Sequence, residues 1–284
     1  MIKSKNYQNE AATLYLIPTP IGNLEDMTYR ALKILKSVDI LYAEDTRVTK
    51  KLLSYYQIDK TPISYHEHNE LKRAEEVIEQ LKQGKNIGLV SDAGMPLLSD
   101  PGLILVNEAI KNNFNVVSLP GANALLPGLL MSGFSTIPFT FIGFLEAKSN
   151  KRLSQLERIK YYPETLIFYE AIHRIKSTMK DMYEVLGDRK FVIAREISKA
   201  FEEIIRGNLG EYDELDELKG ELVIIVEGYL ETFDNSLSIV EQVDFFIASG
   251  LRKTEAMKKV SEMTKIPKNI IYQEYLEKKI KEDK

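Results

Sequence analysis

Three short segments crowd glycine, proline and polar side chains against the ends of apolar runs, and α/β proteins build their sites at strand ends. The first is Pro18-Thr19-Pro20-Ile21-Gly22-Asn23. Two prolines stiffen it, and Gly22 permits a conformation or close approach that a side chain would block. A plain strand-to-helix loop accounts for it equally well. The second runs from Val90 to Gly102, VSDAGMPLLSDPG. Its small residues leave backbone amides and carbonyls free to hold a flat, polar cofactor. Within it Asp100, followed by Pro101, suits the N-cap of the next helix. Asp92 has no such duty and, at a strand end, suits a cofactor amine or ribose. The third is Tyr65-His66-Glu67-His68-Asn69-Glu70, which holds two of the three histidines. On an extended segment His66 and His68 point to one side, a geometry fit for a metal. No third firm ligand is visible, so polar histidines bordering a cleft are the favoured reading and no metal is expected.

Several chemistries are missing their motifs. The chain has no Gly-x-x-x-x-Gly-Lys-Ser/Thr loop, no Gly-x-Gly-x-x-Gly fingerprint, no Gly-x-Ser-x-Gly elbow and no His-Glu-x-x-His helix. An ordinary nucleotide hydrolase, dinucleotide dehydrogenase, lipase-type hydrolase or zincin is therefore excluded. With no cysteine there is no disulfide, thiolate metal site or thiol nucleophile.

Periodicity supplies the elements that must hold these segments. Strands are expected at Leu14–Pro18, Asp39–Ala43, Ile63–Tyr65, Ile87–Ser91 and Val116–Leu119. Between them Thr28–Val38, Thr46–Tyr56, Glu70–Lys82 and Leu103–Lys111 repeat apolar residues at helical spacing. Gly84 stops the third of these helices. This alternation predicts an α/β layer with a mainly parallel sheet. Pro120-Gly121 is a turn and a plausible hinge. Beyond it strands at Phe139–Phe144, Thr165–Tyr169, Phe191–Ala194, Glu203–Arg206 and Leu222–Glu227, with helices at Arg152–Lys160 and Ile175–Leu186, predict a mixed sheet. The stretch from Ser236 to Lys284 reads as three helices, Ile239–Ser249, Thr254–Thr264 and Lys268–Lys281, joined at Gly250 and Ile266-Pro267.

At 284 residues the chain is comfortable for two domains or more. The opening Met1–Ala12 is polar and lacks the apolar core of a signal peptide. The apolar stretches Ala124–Met131 and Phe139–Leu145 are too short to span a membrane and are broken by Pro127, Gly128 and Gly143. A soluble, cytoplasmic protein is expected. The net charge of −4 argues against general nucleic-acid affinity. From Val240 onward, however, ten Lys and Arg face eight Asp and Glu, against 28 and 34 in the remainder. Any contact with nucleic acid must be local.

The segments Thr19–Asp26, Ala43-Glu44-Asp45-Thr46-Arg47, Ser64–Glu70, Ser91-Asp92-Ala93-Gly94, Phe168-Tyr169-Glu170 with His173-Arg174, and Ala194-Arg195-Glu196, in this order, resemble the tetrapyrrole methylase superfamily. Within it they are similar to the RNA-modifying branch. The similarity runs from about Leu14 to Gly228 and is weaker through the helical tail. It implies two α/β domains of tetrapyrrole-methylase type, at 1–120 and 121–232, and a small helix-turn-helix-like domain at 233–284. It also implies S-adenosylmethionine in the cleft, held largely by backbone groups, and a homodimer. The activity implied is 2′-O-methylation of a cytidine in the decoding region of 16S ribosomal RNA, free or in the small subunit. Carried over by motif, the cofactor shell is Pro20, Asp92, Gly94, Met95, Leu98, Ser99, Ala124, Tyr169 and Ala194. The chain departs from the family pattern at Met95 (usually Thr), Ala122-Asn123 (usually Pro-Ser) and Ala171-Ile172 (usually Ser-Pro).

Methyl transfer to a hydroxyl needs positioning and a proton acceptor. Under this resemblance the candidate bases are Glu67, His66, His68 and Glu44. Arg47, Arg174 and Arg195 are candidates for RNA phosphates, or else for ion pairs with Glu44, Glu170 or Glu196. On the tail Arg252, Lys253 and Lys258, with Lys259 and Lys265, form either an RNA-binding face or a solvated surface. Two rival readings stand beside this one. A methyltransferase of a small tetrapyrrole suits the acidic charge, and a non-enzymatic nucleic-acid-binding regulator would be built on the tail.

Overall fold

A computed structural model describes residues 11–215, 217–229, 237–248 and 251–282. The opening stretch to residue 10, the 232/233 boundary and Gly250 lie outside the described residues. The chain divides into two compact units that meet between residues 229 and 230.

The first unit opens with alternating strands and helices: β1 (Thr13–Leu16), α1 (Tyr29–Ser37), β2 (Ile40–Ala43), α2 (Thr46–Tyr55), β3 (Ile63–Ser64), α3 (Glu70–Lys82), β4 (Ile87–Val90), α4 (Leu103–Lys111) and β5 (Asn115–Ser118). All five strands are parallel, in the order β3-β2-β4-β1-β5. Their side chains alternate between two cores, as the period of a strand dictates. Leu14, Leu16, Tyr42, Ile87 and Leu89 pack under α3 and α4, with Val77, Leu81 and Leu105. Ile17, Leu41, Ala43 and Val90 face α1 and α2, with Ala31, Leu35 and Leu53.

The second sheet follows: α5 (Leu125–Ser132), β6 (Phe139–Phe144), α6 (Ser149–Ile159), β7 (Thr165–Glu170), α7 (Ile175–Leu186), β8 (Lys190–Arg195), β9 (Glu203–Asn208) and β10 (Leu222–Val226). Its order is β6-β7-β10-β8-β9, with β6 and β7 parallel and the other pairs antiparallel. Leu166, Phe168, Ile193, Ile224 and Val226 pack with residues of α6 and α7. The opposite face, Ile167, Val192, Ala194, Val223 and Ile225, packs with Leu125 and Leu129 of α5.

Helix α5 is the element that sequence patterning passes over, because Pro127 and Gly128 look like breakers. Pro127 sits in the first turn, where its missing N–H has no intrahelical partner to lose. Gly128 donates the first helical bond, to the Ala124 carbonyl at 3.1 Å. A second correction concerns Asp100. The N-cap of α4 is Gly102, and Asp100 does not cap the helix. The Gly102 N–H is instead taken by Glu70 Oε1 at 2.9 Å.

The second unit contains α8 (Ile239–Ala248), α9 (Lys253–Thr264) and α10 (Lys268–Glu282) around its own core of Val243, Phe246, Met257, Val260 and Ile271. No helix among the described residues is long and apolar enough to cross a membrane.

Candidate functional site

The loops that follow β1, β4 and β5 are stitched together at the carboxyl ends of those strands. Thr19 and Gly94 exchange backbone hydrogen bonds at 2.8 and 3.0 Å, an isolated antiparallel bridge between the first two loops. The Thr19 hydroxyl adds a bond to the Ser91 carbonyl at 3.2 Å. The third loop closes against the first at Gly121, where a Cβ would lie 2.2 Å from Pro18 Cγ, so only glycine allows this approach. Gly22 is constrained in the way its position suggests, with φ +154° and the Lys199 side chain in the space a Cβ would take.

Beside these loops lies a cavity of about 480 Å³. The carboxyl ends of β6, β7 and β8 and the amino end of β10 form its opposite wall. Seven of the nine residues expected around a cofactor line it: Gly94, Met95, Leu98, Ser99, Ala124, Tyr169 and Ala194. Tyr169 meets Phe141 and Phe144 edge-on, with centroids 4.9 and 5.7 Å apart, which gives the wall an aromatic face. Pro20 and Asp92 do not line this cavity. They lie in an adjoining groove of about 420 Å³ on the other side of the Thr19–Gly94 bridge.

The cavity also contains residues outside the expected cofactor shell. Asp100, displaced from its expected capping role, is one of them. Burial and the nearby Glu44 and Asp92 carboxylates raise its pKa to about 6, partly offset by a hydrogen bond with Ser91. Glu44 is raised for the same reasons, burial first and Asp92 second. Asn123, Ile172, His173, Ile197 and Glu221 also line it. Glu221 and its neighbours come from the start of β10, which antiparallel pairing brings to the cleft and which carries no motif. Met95, Ala171 and Ile172 all line the cavity. Asn123, just before the Ala124 N-cap of α5, accepts the Leu126 N–H on its Oδ1 at 3.0 Å.

The His66–Glu70 segment is a short 3₁₀ turn, Glu67–Asn69, rather than an extended strand. The two histidine rings still meet, edge to face, with centroids 5.8 Å apart. Among the described residues no group of three His, Asp or Glu is placed to hold a metal. Asn69 Oδ1 accepts from the His66 backbone N–H at 2.9 Å, so its amide nitrogen is the group facing His66 Nε2 at 3.3 Å. His66 Nδ1 is buried without a hydrogen-bond partner. Glu67 and His68 are exposed. Glu70 accepts from both the Gly102 N–H and the Tyr65 hydroxyl, tying this turn to the end of the cavity-lining loop.

The arginines differ. Arg47 is 86% exposed and pairs with Asp45 at 2.6 Å, not with Glu44. That contact holds the Asp45 carboxyl down at about 2. Arg174 is enclosed by the buried Glu170 and the Leu145 carbonyl. Arg195 pairs with Glu203, directly opposite it on β9, at 2.8 Å and not with Glu196, which holds Lys199. On the second unit Lys253 lies over the Tyr275 ring at 4.6 Å, Lys258 reaches Glu262 at 3.7 Å, and Arg252 precedes α9.

A parallel sheet joined to a mixed one, with a cavity at the gathered strand ends, is the architecture of a two-lobed α/β methylase. Solved structures share it. Diphthine synthase aligns with a TM-score of 0.60 at 13% identity, covering 76% of this chain and 90% of that one. Uroporphyrin-III C-methyltransferase from Thermus thermophilus, complexed with S-adenosylhomocysteine, aligns with a TM-score of 0.55 at 16% identity, covering 76% and 97%. The family model for tetrapyrrole (corrin/porphyrin) methylases matches residues 13–213, and the chain belongs to that family. Among its relatives, the ribosomal RNA small subunit methyltransferase I of Bacillus subtilis (strain 168) is 45% identical over 96% of this chain and 97% of its own length. The protein of that name from Haemophilus influenzae (strain ATCC 51907 / DSM 11121 / KW20 / Rd) is 44% identical over 92% and 95%.

Proposed function

We propose that this protein is an S-adenosylmethionine-dependent methyltransferase that modifies small-subunit ribosomal RNA, and that the acceptor is the ribose 2′-hydroxyl of a decoding-region cytidine. The cavity at the strand ends carries the reading, since it gathers seven residues of the expected cofactor shell. Near-full-length relatives named as small-subunit ribosomal RNA methyltransferases support the substrate. The cavity fits the cofactor in size, within the roughly 300–1,000 Å³ of small-ligand sites. It fits in chemistry too: mostly apolar walls, an aromatic face at Tyr169, and Asp100 with Glu44 and Asp92 nearby to offer negative charge to a cationic donor.

Bound there, the cofactor supplies an activated methyl on a sulfonium. The residues of this chain have to align the acceptor oxygen with that methyl, exclude water and receive the hydroxyl proton. The proton passes to a side-chain base. Of the candidate bases, Glu44 has the basicity raised by burial and Asp92, while Glu67 and His68 stand exposed on the adjacent turn. Arg47 is the exposed guanidinium available for a phosphate. We also infer a cytoplasmic homodimer; the exposed Leu126 and Leu130 of α5 and nearby Ile137 support self-association.

The test is methyl transfer from labelled S-adenosylmethionine to small ribosomal subunits lacking the modification, with the label mapped by nuclease digestion. Label on a ribose 2′-oxygen of a decoding-region cytidine is expected. Cofactor binding by calorimetry with no label in RNA would reject the substrate and redirect the search to small tetrapyrroles. Failure to bind the cofactor would reject the methyltransferase reading.

A further inference from the structure

The groove beside the cofactor cavity has a composition of its own. One stripe of α2, Val48, Lys51, Leu52 and Tyr55, lines it at helical spacing together with the buried Thr49, while Leu53 packs into the core. Leu24 and Asp92 also line it, and Asp92 is followed directly by Ala93 and Gly94, which line the cofactor cavity. Tyr55 is 61% exposed, and Leu24 and Val48 are also exposed. Three large apolar side chains therefore gather in one open groove, which the stability of the fold does not require. The Tyr55 ring meets the edge of Tyr56 at 5.0 Å, which holds it in place and leaves most of its surface free. No carboxylate among the described residues pairs with Lys51, which stands one turn before Tyr55.

An aromatic face, an aliphatic wall and a cation at the rim suit a nucleotide of a single strand, whose base stacks and whose phosphate needs a charge. The Asp92 carboxylate in the groove is an acceptor that suits an exocyclic amine. We propose that this groove holds a nucleotide of the RNA strand next to the one being methylated, its base on Tyr55 and its phosphate at Lys51. The Thr19–Gly94 bridge, shared by groove and cavity, then sets the register between that neighbour and the acceptor ribose. This proposal rests on the RNA-methyltransferase reading above.

The experiment compares wild type, Tyr55→Ala, Tyr55→Phe and Lys51→Ala in methyl transfer to unmodified small subunits, with cofactor affinity measured by calorimetry on each. Loss of the stacking ring is expected to raise KM for the subunit at least about fivefold, with kcat and cofactor affinity within about twofold. Tyr55→Phe, which keeps the ring, stays close to wild type. Lys51→Ala makes the dependence of log affinity on log salt shallower by about 1. An unchanged KM in Tyr55→Ala overturns the proposal while leaving the RNA substrate standing. A Tyr55→Phe variant as impaired as Tyr55→Ala, with unchanged cofactor affinity, also overturns it, because the hydroxyl and not stacking would then matter. If wild-type protein places no label in RNA, the broader reading fails and takes the groove's assignment with it.

Discussion

Asp100 shows how a carboxylate changes meaning between its neighbours in the chain and its neighbours in space. Beside Pro101 it looks like a helix cap, but in the fold it lines the cavity, and burial with Glu44 and Asp92 nearby lifts its pKa from 3.8 to about 6. A raised carboxylate pKa means the native state prefers the protonated form. The associated stabilisation is complete below about pH 4 and is lost as pH rises through about 6. Asp100→Asn, which cannot ionise, should therefore gain more thermal stability relative to wild type at pH 7.5 than at pH 4.5. Equal differences at the two pH values would show that Asp100 does not titrate in this window. Among the candidate bases, Glu67→Gln is expected to lower turnover while leaving cofactor affinity nearly intact. Unchanged single-turnover methylation in that variant would remove Glu67 from the mechanism and leave Glu44 as the carboxylate to test.

At the scale of elements, α6 and α7 are joined by a buried ion pair. Arg152 Nε and a terminal nitrogen lie 2.7 and 2.6 Å from Asp181 Oδ2, the Ser149 hydroxyl adds a bond at 3.0 Å, and the guanidinium also reaches the Glu146 and Ala147 carbonyls. Removing one partner strands the other charge in a dry interior, which costs about 3–5 kcal/mol. Asp181→Ala should lose that much in denaturant unfolding, and a loss below about 1 kcal/mol would mean that water reaches Arg152. Sequence patterning served most elements well. The limits of α3, α4 and α7 coincide with the apolar periodicity, because those helices bury one continuous stripe. Helix α5 escaped it because a proline in the first turn looks the same in sequence as a proline that ends a helix.

At the scale of the whole molecule, the acidic net charge leaves RNA affinity to local patches. Arg252 and Lys258 belong to the helical unit, and the exposed Lys258–Glu262 pair at 3.7 Å is too weak to withhold that lysine from a phosphate. If this face meets RNA, the double variant Arg252→Ala/Lys258→Ala should make the slope of log affinity against log salt shallower by about 1–2. An unchanged slope in filter binding would make the face a solvated surface.

The alternation of strands and helices, the loops at the strand ends and the family motifs were all present in the linear chain, because each depends on residues within about one turn or one strand of each other. The partition of those motifs between two spaces was not. Pro20 and Asp92 face the groove while Gly94, Met95 and Ser99 face the cavity, because one pair of backbone hydrogen bonds, Thr19 to Gly94, runs between them across 75 residues of sequence. The partners of Arg47 and Arg195 were likewise settled in three dimensions, the first by a helix N-terminus beside Asp45 and the second by the register of β8 on β9. Periodicity records which face of an element is apolar. Which distant polar groups that face brings together depends on how the sheets pair and pack, and no local pattern encodes it.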